Sequence, residues 1–564
     1  MTAREIEARR QSQPLWRRPT VACAALLSLA VWATFGPTIA NDLTFDDLDT
    51  IKNNSLITSL GNLRLLFSKS YFDLSDEFTY RPIVTLSYFL DHALAGKSAW
   101  IYHLHNVVLH HVNVLLLFVL FNLLGAGWAR SFAVALVFAL HPLHTEAVIF
   151  PGFREDLQMT AGSLAMACCL AADRKRPGIA LPLIAALSLV LGLFAKEGAL
   201  FVPVAWLLGD LLGRRQGESF RRLCGRYIPP AIVLGLYVAV RFVIMANPQA
   251  AEMDVVDYLP MRQRFLTAPY LFAYYVRRFL WPTPLCIVPE VESLSNAGTV
   301  FFESLVVVGA VVALWIVVMR RQRWVLPAGL WIAATFAPVS NIYPIVNLWA
   351  ERFYYVVGVG TSAIAVAAAG TLWEWFAGQL ELRSGNFARK SFVSVGWALV
   401  GLLACAAAVT DVGRILECRT SLSLWRATVR CAPTNKTALS SLAIYELEAG
   451  NFVQAEMFAR EAELRGDWPY RVNYILATSA FRQGKWDRAI EYLEKALAVP
   501  SPSPTSRAAL ARMLATAYLK TDRRDLARKT LEWALEWNPQ DEDAQKLLQQ
   551  VETKHDNGVS TEKG

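Results

Sequence analysis

Asp46 and Asp47 stand side by side in NDLTFDDLDTIKNN, a few residues beyond the first long apolar run of the chain. A carboxylate pair at a membrane surface can hold one member as a general base and the other as an orienting or acceptor-binding group. Further ionisable residues interrupt later apolar runs: His141, His144 and Glu146 with Arg154, Glu155 and Asp156 in HPLHTEAVIFPGFRED, then Lys196 and Glu197, then Glu351 and Arg352 after SNIYPIVNLWA. The planar fork of Arg154 suits a phosphate or pyrophosphate oxygen. The plainer readings are a structural cluster around His144 and, at Glu351 and Arg352, a pair of charges that neutralise each other at a helix end.

Two other motifs bear on the same region. Tyr80, Arg81 and Pro82 open the amphipathic stretch IVTLSYFLDHALAG, which is too short to span and suits the external interface; Arg81 is a further phosphate candidate. His103, Asn106, His110 and Asn113 fall on one helical face. With no carboxylate at ligand spacing, hydrogen bonding between helices explains that stripe better than metal does, and neither HExxH nor a Cys/His zinc spacing occurs. No metal site is expected.

These residues need a membrane scaffold to position them. The 564 residues are 54% hydrophobic and 18% charged, and runs long enough to cross a bilayer as helix recur up to about residue 413. The spans are expected near 20–40, 104–125, 130–150, 158–172, 178–195, 198–213, 228–247, 300–319, 325–339, 353–376 and 391–413, about eleven in all. Arg4, Arg9, Arg10, Arg17 and Arg18 precede the first span, and clusters around Arg174 to Arg176, Arg214 to Arg226, Arg320 to Arg323 and Arg383 to Lys390 mark further inside loops. Residues 1–18 then form a cytoplasmic N-terminus, with an uncleaved signal anchor after it, and 19–414 the membrane domain with an external loop 41–99. The stretch 268–287 carries Arg277, Arg278, Pro282 and Pro284 and is expected to be re-entrant or interfacial. In this topology Asp46, Asp47, Arg154, Lys196 and Arg352 share the external side. The net charge of +8 lies mostly in short loops and reports topology instead of nucleic-acid binding. Of the eight cysteines, Cys418 and Cys431 flank the start of the soluble part and are candidates to pair.

Residues 415–432 read as a linker, and from 433 the sequence repeats. Leu442, Ala443, Gly450, Ala455 and Ala462 recur 34 residues later as Leu476, Ala477, Gly484, Ala489 and Ala496, and again 38 residues on as Leu514, Ala515, Asp522, Ala527 and Ala534. A period of this length, with small residues where two helices cross, resembles the tetratricopeptide repeat; about three units are the minimum that buries a continuous core. The repeat domain is placed at 433–552, where it is expected to bind an acceptor peptide or a partner, and a disordered tail at 553–564.

The ordered set FDDLDTIKNN, YRP, HLHNVVLHHVN, HPLHTEAV with FRED, AKEGAL and SNIYPIVNLWAERFYY, followed by the repeats, resembles the transmembrane and tetratricopeptide repeat-containing O-mannosyltransferases. The resemblance implies an all-α chain, a polytopic membrane bundle of the GT-C type followed by an α-solenoid. It implies an inverting transferase that moves a sugar, mannose by the family, from a dolichyl or undecaprenyl phosphate to protein hydroxyls, with no further cofactor. Asp46 would be the base and Asp47 would help hold the acceptor. Arg154, Arg352 and Lys196 would bind the donor phosphate, with His144, Glu155, Asp156 and Glu351 behind them. In the family pattern GRAD or GRED the chain departs at Phe153, and its repeat array is short. The protein would lie in a bacterial inner membrane with periplasmic repeats, or in the endoplasmic reticulum with lumenal repeats. Two other readings are a transferase acting on a lipid or glycan, and a non-catalytic scaffold that recruits partners through its repeats.

Overall fold

The computed structural model describes residues 19–75, 79–213, 219–245, 261–288, 297–343, 348–500 and 503–559. The N-terminal basic cluster, Arg214, Arg215 and part of the 340–352 stretch lie outside the described residues. The chain divides into two units, one of residues 1–287 and 293–420 and one of residues 288–292 and 421–564. Among the described residues all regular structure is helical.

The first unit opens with α1 (Pro19–Phe35), α2 (Pro82–Ala95), α3 (Ala99–Leu124), α4 (Trp128–Ala139), α5 (Thr145–Ile149) and α6 (Arg154–Asp173). It continues through α7 (Ala180–Leu193), α8 (Val202–Leu212), α9 (Phe220–Ala239), α10 (Met261–Leu280), α11 (Ala297–Arg321), α12 (Leu326–Phe336) and α13 (Tyr354–Glu417). Helices stand at each expected span, but among the described residues six are long and apolar enough to cross, or seven if the pair bent by 55° between Trp128–Ala139 and Pro142–Ile149 is one span. The expected spans at 178–195, 198–213 and 325–339 shorten to helices of 14, 11 and 11 residues. Pro203 and Pro327 start α8 and α12 where a missing N–H costs nothing. At the 268–287 stretch α10 ends at Leu280, and it is not among the candidate spans.

The two last expected spans belong to α13, whose apolar stretches are Glu351–Gln379 and Ser394–Glu417. A Cβ on Gly396 would lie 2.6 Å from the Trp373 ring, although 23 residues of straight helix would separate the two by roughly 35 Å. The chain therefore reverses between the two stretches. Its second limb is mostly exposed but buries Asp411, Arg414, Ile415 and Cys418 at its end.

Several polar side chains of the α3 stripe bond to neighbouring segments. On α3, Asn106 Nδ2 donates to the carbonyls of Val148 and Phe150, His110 hydrogen-bonds the Tyr355 hydroxyl and the Ala139 carbonyl, and Asn113 Nδ2 donates to the carbonyl of Leu157 and the Tyr355 hydroxyl. The stripe is thus a packing device. On α2 the pattern is inverted: Ser87 and Asp91 are buried while Leu86, Leu90 and Leu94, one turn apart, are exposed.

In the second unit the segment expected as a linker is helical, its residues closing α13 and forming α14 (Ser421–Cys431). The repeats follow as α15 (Lys436–Glu448), α16 (Phe452–Leu464), α17 (Pro469–Arg482), α18 (Trp486–Leu497), α19 (Pro504–Lys520) and α20 (Arg524–Trp537), with α21 (Glu542–Val559) stacked on the last pair. Ala443, Ala455, Ala462 and their equivalents in the next two units are wholly buried, because only a small side chain fits where paired helices cross. Each hairpin turns through a left-handed residue, Gly450, Gly484 and Asp522, with φ of 81°, 69° and 59°. The tail expected to be disordered is helical as far as Val559. Cys431 is disulfide-bonded whereas Cys418 carries a free, buried thiol, so these two do not pair.

Gly162 of α6 sits against the backbone of α7: a Cβ there would lie 2.5 Å from Gly192 N and 2.6 Å from Ser188 O. Neither neighbour can rotate away, so the helices must part. Gly162→Val is expected to cost at least about 1–3 kcal/mol and to lower the melting temperature in detergent by several degrees. Gly178→Ala, with nothing within 4 Å of its added Cβ, should leave it unchanged.

Candidate active site

The Asp46 turn is pinned at both ends. Upstream, Asn41 Nδ2 donates to the Ile415 carbonyl at 3.1 Å and Asp42 N to the Arg419 carbonyl at 3.0 Å. Downstream, Thr50 N and Oγ1 both donate to the Asp46 carbonyl, at 3.0 and 2.8 Å. Between them Phe45 has φ of +55°, a left-handed conformation that costs a bulky residue about 1–3 kcal/mol. The turn is held in it by tertiary contacts, the Phe45 ring packing on Phe150 at 5.9 Å and Phe153 at 6.0 Å.

The two aspartates have different environments. Asp47 is fully buried; its Oδ2 accepts from Thr44 N at 3.1 Å and its Oδ1 from Gly152 N at 2.6 Å. Burial pushes its carboxyl up to about 8, against the pull of those two N–H donors. Gly152 leaves room for this contact, since a Cβ there would lie 3.0 Å from Asp47 Oδ1 and Thr50 Oγ1. Asp47 therefore staples the 41–52 loop to the 150–153 turn instead of facing an acceptor. Asp46 is half-buried, and its carboxylate accepts no hydrogen bond among the described residues. Burial raises it to about 6, with Arg352 opposing the rise and Glu155, Glu146 and Asp49 adding to it.

Arg352 enters from the short turn Glu351–Phe353 just before α13. Its Nη1 pairs with Glu146 Oε1 at 2.6 Å, its backbone N donates to Glu146 Oε2 at 2.8 Å, and its guanidinium lies 3.7 Å from the Phe153 ring centre. Glu146 has both oxygens committed to this one residue. The Arg352 Nε and Nη2 edge carries no acceptor among the described residues and is not sealed from solvent. Alongside, Lys196 Nζ bonds both oxygens of Asp156 at 2.7 and 2.8 Å and approaches Glu155 Oε1 at 3.7 Å. Glu155 and Glu197 also meet Arg81, at 3.3 and 3.6 Å. Carboxylates and cations thus alternate through this cluster, and Arg352 retains an open bidentate edge.

Three expected site residues stand elsewhere. Arg154 is wholly buried: Nε donates to Asn106 Oδ1 at 2.8 Å, Nη1 to Ser87 Oγ at 2.9 Å and Nη2 to the Tyr102 carbonyl at 2.9 Å, while Asp91 Oδ2 lies 2.6 Å from Nη1. Its fork is spent on α2 and α3, which argues against a role in phosphate binding. Glu351 does not pair with Arg352; its Oε1 accepts from Cys286 N at 2.7 Å. His144 is buried against Phe138 and Tyr355 with Nδ1 on the Phe138 carbonyl at 2.7 Å. Conversely, Glu146 emerges as the partner of Arg352 and Phe153 as its support. The separation of 206 positions between Glu146 and Arg352 left no sequence signal for the first.

Arg154→Ala is expected to strand Asp91 and Asn106 in the core and to cost ~3–5 kcal/mol, visible as a large drop in melting temperature or loss of folded protein. Asp46→Asn, which breaks no hydrogen bond among the described residues, should melt like the parent.

The profile of the tetratricopeptide repeat family matches residues 480–551. A protein O-mannosyl-transferase of Caenorhabditis elegans is 26% identical over 337 residues, covering 57% of this chain and 47% of that protein. The human protein O-mannosyl-transferase TMTC1 is 26% identical over 410 residues, with 62% and 46% covered, and Drosophila melanogaster Tmtc2 is 30% identical over 318 residues, with 50% and 33% covered. The chain spans about half the length of the first two of these relatives. Among solved structures, the Archaeoglobus fulgidus oligosaccharyltransferase aligns at a TM-score of 0.39 and 11% identity over 71% of this chain and 56% of that one. With its apolar helices and its repeats, the chain is similar to these protein O-mannosyl-transferases.

Proposed function

We propose that this chain is a membrane glycosyltransferase that moves a sugar, mannose by analogy with its relatives, from a polyprenyl phosphate to Ser or Thr hydroxyls of an acceptor protein on the external side. The observation that carries the reading is that an uncommitted carboxylate, Asp46, lies within the electrostatic reach of Arg352, a cation whose bidentate edge has no acceptor among the described residues. Asp46 takes the proton of the acceptor hydroxyl as its oxygen bonds to the anomeric carbon. The bond from that carbon to the phosphate oxygen breaks, and the electron pair leaves with the polyprenyl phosphate, whose charge Arg352 and Lys196 stabilise. Attack opposite the leaving group inverts the anomeric centre. The proposed step calls on no further cofactor, and dolichyl and undecaprenyl phosphates suit the same chemistry.

Two features support an external site and a protein acceptor. Cys431 is disulfide-bonded at the start of the repeat unit, and such bonds persist in oxidising compartments. The repeats also hold a cleft of about 330 Å³ lined by Leu497, Leu514, Tyr518, Leu526 and Trp533, with Glu494 and Lys529 beside them. Its apolar walls suit one bulky side chain of an acceptor segment.

Asp46→Asn in purified protein is expected to abolish transfer from a polyprenyl phosphate mannose to peptide; full retained transfer would sink the assignment. Arg352→Gln should lose roughly two to three decades in rate, as when an oxyanion donor is removed. Because Asp46 must be ionised to accept the proton, activity should fall with pH below about 6 and level off above it. A flat profile from pH 5 to pH 8 would exclude Asp46 as the base.

A further inference from the structure

We propose that Phe153 is a positioning residue of the transfer site, its ring holding the Arg352 guanidinium and the Phe45 turn at a fixed separation. This rests on the reading of Asp46 as base and Arg352 as donor cation. The Arg352 guanidinium carbon sits 3.7 Å from the Phe153 ring centre, a distance at which the ring quadrupole attracts the cation. Phe45, adjacent to Asp46, meets the same ring edge-on with centroids 6.0 Å apart. Phe150 closes a triangle with both rings, at 5.9 Å from Phe45 and 5.7 Å from Phe153.

One side chain thus touches both halves of the site. The contact answers two costs at once. The left-handed φ of Phe45 needs its ring anchored, and Arg352, with only Nη1 paired, needs its plane oriented if its open edge is to meet a phosphate. Glu146 fixes one end of the guanidinium and Phe153 fixes its tilt. Without the ring, Arg352 can swing about the Glu146 contact, and the guanidinium charge that opposes the rise of Asp46 moves away while Glu155, Glu146 and Asp49 still face it.

The test reads Asp46 without relying on turnover. A hydrophobic carbodiimide modifies the protonated carboxyl, and labelling of Asp46 in the full-length protein in detergent is followed by peptide mass spectrometry across pH. The parent midpoint should lie near about 6. Phe153→Leu should raise it by about half a pH unit or more, and Arg352→Gln by at least as much. Phe153→Trp, which keeps a π face, should stay near the parent. Phe153→Met serves as a second ring-less variant if the leucine variant folds poorly. A ring-less variant that melts like the parent and keeps the parent midpoint overturns the proposal. Transfer assays on the same samples separate the two ideas: a parent that transfers no sugar removes the function, whereas the labelling midpoints still decide the coupling.

Discussion

The constraint on which the membrane unit depends is a guanidinium with no access to water. Arg154 is among the largest fully buried side chains of the protein, and a charge so placed is tolerated only if every polar edge finds a partner. Asp91 supplies the opposite charge, Ser87, Asn106 and the Tyr102 carbonyl take the N–H groups, and the Tyr88 ring lies 4.9 Å from the guanidinium. Because these partners come from α2 and α3 while Arg154 begins α6, satisfying one cation fixes three helices. Glu155 and Asp156, the next residues on α6, are aimed as a result. The placement of Lys196 and Arg81 follows from theirs.

The same logic separates neighbours that look alike in the chain. Asp46 and Asp47 share a dipeptide, yet backbone N–H groups claim both oxygens of one and leave the other without a bond among the described residues. Arg154 and Arg352 each present a fork, but only Arg352 keeps its side edge. Whether a charged residue is structural or available is decided by how many of its valences the fold consumes, a quantity that residue type does not reveal.

That is also the measure of what the sequence could say. The repeats were legible because their alanines, and the left-handed turn residues Gly450, Gly484 and Asp522, recur at a period imposed by local geometry. The polar stripe of α3 was legible as interhelical bonding for the same reason. A helix lies at each expected span, but among the described residues only six, or seven with the bent pair, are long and apolar enough to cross, since apolar composition reports burial and membrane depth alike, and α7, α8 and α12 are short helices. At the site, the expected topology grouped Asp46, Glu155, Lys196 and Arg352, and the charges of Glu155 and Arg352 do act on Asp46 while Lys196 approaches Glu155. The role of Arg154, the separation of Glu351 from Arg352 and the support by Phe153 depend on contacts between distant residues, which no local pattern encodes.

Helix α2 turns its polar residues inward to Arg154 and its leucines outward. A lipid surface would draw Leu86, Leu90 and Leu94 to a defined level, and through Ser87 and Asp91 that level is transmitted to the ion pair that anchors α6. The helix would then act as a depth gauge, registering the alternating charges beside it against the bilayer surface, where the phosphate of the proposed membrane-anchored donor would also lie.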